Sequence, residues 1–184
     1  MALTPHVALL RAVNVGGRGK VAMADLRQML ADLGFADPRS LLQSGNLVFR
    51  SKATGAALEG ELQREAKARL DLDTDFLVRT ADQWAEIVAA NPFADAAKDD
   101  PSHLMVMPLT AAPDAIGLEG LRAWIPGREA IEAVGRELFI TYPDGVGDSK
   151  LTNAVIERRL GVRGTARNWN TVTKIAALLD PAAS

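Results

Sequence analysis

The sequence has no cysteine among its 184 residues. That excludes a disulfide framework, thiol catalysis, cysteine-ligated zinc and iron–sulfur clusters. Histidine occurs only twice, as His6 and His103. Each opens a strand-like run with no carboxylate evident beside it, so neither is expected to act as a base. Asp71, Asp73 and Asp75 begin like a calcium loop, but Phe76 stands where that loop needs glycine and Asp82 where it needs a bidentate glutamate. No metal and no cofactor are expected. Gly-x-Ser-x-Gly and His-Glu-x-x-His are both missing. No apolar run approaches the ~20 residues of a membrane-spanning helix, and the N-terminus lacks the pattern of a signal peptide. These absences predict a cytoplasmic protein with no membrane partner.

What remains is an ordinary globular composition, with 48% hydrophobic and 24% charged residues. The length suits one domain or two small ones. The net charge of −2 hides an uneven distribution. Residues 1–50 carry six basic side chains against three acidic ones, and residues 145–184 repeat that ratio, so the middle is strongly acidic. A general polyanion binder is basic overall. Aromatic residues make up only 5%, and Phe49 is the one aromatic on the strands where an RNA-recognition plait would stack bases. Nucleic acid is therefore disfavoured as a partner, whereas two basic ends suit a small anion.

Hydrophobic periodicity predicts strands and helices in the order βαββαβ. A strand spans Ala8–Val13, and a helix built on Leu26, Met29, Leu30 and Leu33 stops at Gly34. Arg39–Ser44 and Leu47–Arg50 form a hairpin around Gly45-Asn46. The stripe of Leu58, Leu62, Ala66 and Leu70 makes a second helix, and Phe76–Arg79 a fourth strand. After a helix carrying Trp84, Ile87 and Val88 the order runs again. Leu104–Met107, a helix over Leu118–Ile125, the hairpin Ala130–Val134 with Leu138–Tyr142, a helix over Leu151–Leu160 and a short strand Gly164–Asn168 repeat the unit. A last helix carries Val172, Ile175 and Leu179. The predicted class is α+β, with two tandem ferredoxin-like plaits over residues 1–93 and 94–184. Aligning Arg79 with Arg167 also pairs Ile87 with Ile175, a weak internal echo. The first strand and the strand near residue 105 are apolar on both faces. A lone plait covers only one face of its sheet, so the other is expected to meet the second half or a partner chain.

Two polar clusters follow from this topology. Arg11, Asn14, Gly16, Gly17, Arg18 and Lys20 lie on the first strand-to-helix turn, where glycines allow close approach and a helix start offers unpaired N–H groups to an anion. It is not a P-loop, because Asn14 stands at the first glycine position and Val21 at the Ser/Thr position. In a plait the first strand and the hairpin end at the same edge, which places Ser44, Gly45 and Asn46 beside that turn. The second cluster, Ser149 and Lys150 with Arg167, Asn168, Asn170 and Lys174, should meet at one edge of the second plait.

Taken in order, Arg11–Lys20, Ser44-Gly45-Asn46 with Leu-Val-Phe, Asn91-Pro92-Phe93, Pro143–Leu151 and Thr165–Lys174 resemble the blocks of domain of unknown function 1697, an uncharacterised bacterial family. The resemblance spans nearly the whole chain and implies two ferredoxin-like subdomains, with no activity attached. Ala12 and Leu47 stand where the family pattern has Gly and Val. The functional expectation is binding of a small anionic, phosphorylated or nucleotide-like ligand at the Asn14–Lys20 loop. The alternatives are an enzyme acting on such a ligand, or a homodimeric assembly module with no ligand.

Overall fold

The computed structural model describes residues 2–13 and 20–180. Contacts divide them into two compact units, one reaching to Glu86 and including the residues from Ile175 onward, the other Ile87–Lys174. The first contains β1 (Thr4–Leu10), α1 (Met23–Asp32), β2 (Ala36–Leu41), β3 (Asn46–Ser51), α2 (Gly55–Leu70) and β4 (Phe76–Thr80). Its antiparallel sheet has the order β2-β3-β1-β4. The second contains β5 (Leu104–Pro108), α5 (Ala115–Trp124), β6 (Ala130–Val134), β7 (Glu137–Thr141), α6 (Asn153–Leu160) and β8 (Arg167–Asn168), with the order β6-β7-β5-β8. Both are plait topologies, as the repeated element order requires. Each plait is followed by a helix, α3 (Ala81–Ala89) and α7 (Trp169–Leu179). A short α4 (Ala94–Asp99) and a 3-10 turn (Pro101–His103) lead into β5.

Period-2 alternation in the strands meets helical stripes to form each core. In the first unit Ala8, Leu10, Leu47, Phe49, Phe76 and Val78 face Leu26, Met29 and Leu30 of α1 and Leu58, Leu62 and Ala66 of α2. Helix α1 ends where expected: Gly34 takes φ +79°, its N–H bonds to Ala31 O, and Phe35 N–H reaches Leu30 O at 3.0 Å, the paired bonds of a Schellman cap. The opposite sheet face, with Val7, Leu9, Val48 and Leu77, is buried too.

The structure moves both ends of β1 and β2, which stop at Leu10 and Leu41 rather than at Val13 and Ser44. Strand β1 starts at Thr4 rather than Ala8, because Pro5 sits near the strand's beginning, where a missing N–H is tolerated. Strand β2 starts at Ala36 rather than Arg39. Pro38 is accommodated by a bulge between Ala36 and Arg39, where Asp37 takes φ +52° on an edge strand. The hairpin turn is then Leu42–Gly45, and Asn46 is already the first residue of β3, opposite Leu41.

His6 on β1 is fully buried and stacked at 5.8 Å on Phe49, and among the described residues neither ring nitrogen makes a hydrogen bond of good geometry. Burial pulls its pKa below the ordinary 6.5, against a weaker opposing influence of the Thr4 backbone. The folded state therefore keeps the imidazole neutral while the unfolded chain protonates. Stability is expected to fall as pH drops through ~6.5, and to go on falling until the depressed folded-state pKa is passed. Denaturant melts at a series of pH values should show this slope in the wild type and lose it in His6→Phe; equal slopes in the two proteins would refute it.

Candidate functional site

At one edge of the first plait two segments, the β2–β3 turn and the α2–β4 connection, converge on the end of β1. Leu10 N–H donates to Gly45 O at 2.9 Å, and Arg11 N–H donates to Asp75 O at 3.1 Å. The Thr74 hydroxyl donates to Arg11 O. Gly45 is indispensable to this meeting. Its φ is +82°, and a Cβ there would lie 2.7 Å from Val13 Cγ2 and 2.9 Å from Leu10 Cβ. The hairpin thus closes directly onto β1, as the topology predicted.

Asn46 is fully buried, and its side-chain amide donates to Leu41 O at 2.8 Å and to Ser44 Oγ at 3.0 Å. It braces the turn, leaving Ser44 as its exposed hydroxyl. Arg11 is half-buried and Lys20 exposed. Asn14, Gly16, Gly17 and Arg18 lie outside the described residues. Ala12 adopts φ +53°, a left-handed conformation that costs a Cβ-bearing residue about 1 kcal/mol. That accounts physically for a glycine at this position in the family pattern.

The corresponding edge of the second plait repeats the backbone pattern. Leu109 N–H donates to Arg136 O at 2.8 Å, and Thr110 N–H to Arg163 O at 2.8 Å. Leu10 and Arg11 thus correspond to Leu109 and Thr110, Gly45 to Arg136, and Asp75 to Arg163. The Arg79–Arg167 echo is equally structural. Both arginines are buried, and each donates through Nη1 to the carbonyl of the preceding residue at 2.9 Å. Thr80 and Gln83 then form a reciprocal capping box at α3, while Asn168 Oδ1 accepts from Thr171 N–H at α7.

The second predicted cluster is distributed along the opposite edge of its plait. Arg167 is buried, bonded to Thr165 Oγ1 at 2.6 Å, and burial lowers its pKa to about 10. Asn168 serves as the cap just described, Asn170 donates to Ser102 Oγ at 3.3 Å, and Lys174 is exposed. Ser149 and Lys150 instead line a groove of about 250 Å³ with Pro126, Gly127, Glu129, Asp144, Gly145 and Asp148. Ser149 donates to Glu129 Oε1 and accepts from Leu151 N–H at 3.0 Å. Tyr142 O–H donates to Leu151 O at 2.8 Å; burial, helped by the Glu129 charge, pushes its pKa to about 12.

Two features escaped the sequence reading. His103 does have a carboxylate partner: Asp100, three residues earlier, lies 2.9 Å from its Nδ1 across the 3-10 turn. Glu129 was not linked to Ser149, because the two are 20 residues apart and meet only when the α5–β6 and β7–α6 connections share an edge. The i, i+3 spacing of Asp100 and His103 was the available signal for the first. No local signal existed for the second. Among the described residues, no group of three or more histidine, cysteine or carboxylate side chains is placed to hold a metal ion, and no helix is long and apolar enough to cross a membrane.

No curated protein matches the chain. Among solved structures it is similar to a conserved bacterial protein, SP0830 from Streptococcus pneumoniae, with a TM-score of 0.78 and 24% identity over 97% of this chain and 100% of the other. At that identity the likeness establishes the fold. A protein-family model described as protein of unknown function (DUF1697) matches residues 3–139. With most of its length matched and the tandem plaits in place, the chain belongs to the DUF1697 family.

Proposed function

We propose that the protein binds a small anionic ligand, phosphorylated or nucleotide-like, at the edge where β1 meets the β2–β3 turn. The observation that carries this reading is the closure of the Gly45 turn onto β1. That contact brings exposed Ser44 to the end of the strand from which the Arg11–Lys20 segment departs. Arg11, Arg18 and Lys20 supply positive charge, Gly16 and Gly17 supply backbone N–H groups with no Cβ of their own beside them, and Ser44 supplies a neutral hydroxyl. Asn46 acts by holding Ser44 in position.

The test is a thermal melt against inorganic phosphate, nucleotides and sugar phosphates at matched ionic strength. A ligand at 100 times its dissociation constant stabilises the folded state by about 2.7 kcal/mol. At roughly 2–4 °C per kcal/mol for a chain of this size, the midpoint should rise by roughly 5–11 °C. Arg18→Ala combined with Lys20→Ala should abolish most of the shift. A panel that moves the melt no more than its salt control would sink the proposal. Turnover of a bound ligand would extend it to catalysis.

A further inference from the structure

On the first sheet, Val7, Leu9, Val48 and Leu77 lie on the face away from α1 and α2, and all four are buried. Arg39 shares that face, because it stands opposite Val48, which in turn stands opposite Val7. From there its Nη2 donates to Leu178 O, 3.2 Å away and 139 residues further along the chain. The end of α7 therefore lies on the side of the sheet that α1 and α2 leave open. Ile175 and Leu179, one turn apart on α7, are buried, and the residues from Ile175 onward belong to the same compact unit as the first plait. The last carbonyls of a helix have no partner within it, and the helix dipole favours a cation beside them. Helix α7 carries no basic residue in its own last turn. Arg39 brings both the donor and the charge from β2.

The same contact acts on β2. This is an outer strand with β3 as its neighbour, and its ladder is interrupted by the bulge between Ala36 and Arg39. Side chains steady the remainder from both faces. Arg27 of α1 donates to Ser40 Oγ on the helix side, and Arg39 reaches α7 on the other. Two residues beyond Arg39, Leu41 O accepts from the Asn46 side-chain amide, which also donates to Ser44 Oγ. A continuous path of bonds thus runs from Leu178 through Arg39, Leu41 and Asn46 to Ser44.

We propose that the end of α7 is a strap that sets the β2–β3 turn. Docked on the open face of the first sheet, it fixes β2 through Arg39 and so places Ser44. Arg39 is a positioning residue, acting through Leu41 and Asn46. The consequence for a ligand rests on the anion reading above: release of the strap loosens the edge at which the anion binds, which makes the C-terminal helix a point of control over that site.

The experiment follows backbone amide NMR signals and hydrogen exchange in the full chain without ligand. Arg39→Met should speed exchange over residues 176–179 by roughly tenfold or more, since a hydrogen bond from a charged donor is lost. It should also shift the signals of Ser44 and Asn46, including the Asn46 side-chain amide. Arg39→Lys, which keeps the charge and a donor, should restore most of both effects. Leu179→Ala tests the coupling from the other end. It leaves β2 untouched yet should move the same Ser44 and Asn46 signals, which a local effect of residue 39 on its own strand would not do. Leu109 and Thr110, at the equivalent edge of the second plait, should hold still in all three variants. The proposal is overturned if Leu179→Ala leaves Ser44 and Asn46 unmoved, or if Arg39→Met leaves exchange at the end of α7 unchanged. It is equally overturned if inorganic phosphate binds wild type and Leu179→Ala with the same affinity. A wild type that binds no anion removes the anion reading alone, because the turn signals are read without ligand.

Discussion

Replacing Trp84 with alanine should destabilise the protein by about 3–5 kcal/mol, the usual cost of deleting a buried tryptophan. Trp84 has no exposed surface and lies in α3, one turn past the Thr80–Gln83 capping box. Its counterpart under the Arg79–Arg167 correspondence is Val172, also fully buried, in α7 behind the Asn168 cap. Val172→Ala removes far less volume and should cost about 1–3 kcal/mol. At roughly 2–4 °C per kcal/mol, Trp84→Ala should lower the midpoint by roughly 6–20 °C and Val172→Ala by less. Melting curves on the two single variants decide it. Equal shifts would show that the repeated position does not bear load in proportion to the side chain it buries.

Gly45→Ala should cost about 2–4 kcal/mol, for two additive reasons. The left-handed φ of +82° penalises any Cβ by about 1 kcal/mol, and the new methyl also meets Val13 and Leu10 inside 3 Å. Gly34→Ala separates the two contributions, because Gly34 has φ +79° but nothing within 4 Å of its would-be Cβ. It should lose only the conformational part. Gly45→Ala should also weaken any ligand held at that edge, because relieving the clash requires the turn to retreat from β1. A Gly45→Ala melt no lower than that of Gly34→Ala would contradict the tight closure.

How much of this was legible beforehand depends on the range of the interaction concerned. Helical stripes such as Leu58-Leu62-Ala66, and the Gly34 and Gly161 stops, are local. They came through because the side chains that pack are three or four residues apart. The βαββαβ order, read twice, sufficed for the plait, since few topologies accommodate it. The beginnings of β1 and β2 lie before Pro5 and Pro38, three or four residues earlier than the apolar pattern places them. Edge position and a bulge make Pro38 admissible within β2, and neither is visible before the strands pair.

The candidate sites divide along the same line. Residue order and turn chemistry by themselves determined that the Ser44–Asn46 turn would stand at the end of β1, because a plait's connectivity admits no other edge. Only tertiary structure decided what Asn46 does there, since its partners Leu41 O and Ser44 Oγ are set by the turn's actual register. Tertiary structure also decided the chemistry around Ser149 and Lys150. The chain placed two arginine- and lysine-bearing segments at one edge, which reads as a home for an anion. Folding buried Arg167 on the sheet face away from α5 and α6, and it lined the groove at Ser149 with Glu129, Asp144 and Asp148. Sequence proximity supplies candidate charges, but the sign of a groove depends on which side chains face it and which are already bonded. That is a property of the packed loops and not of their composition.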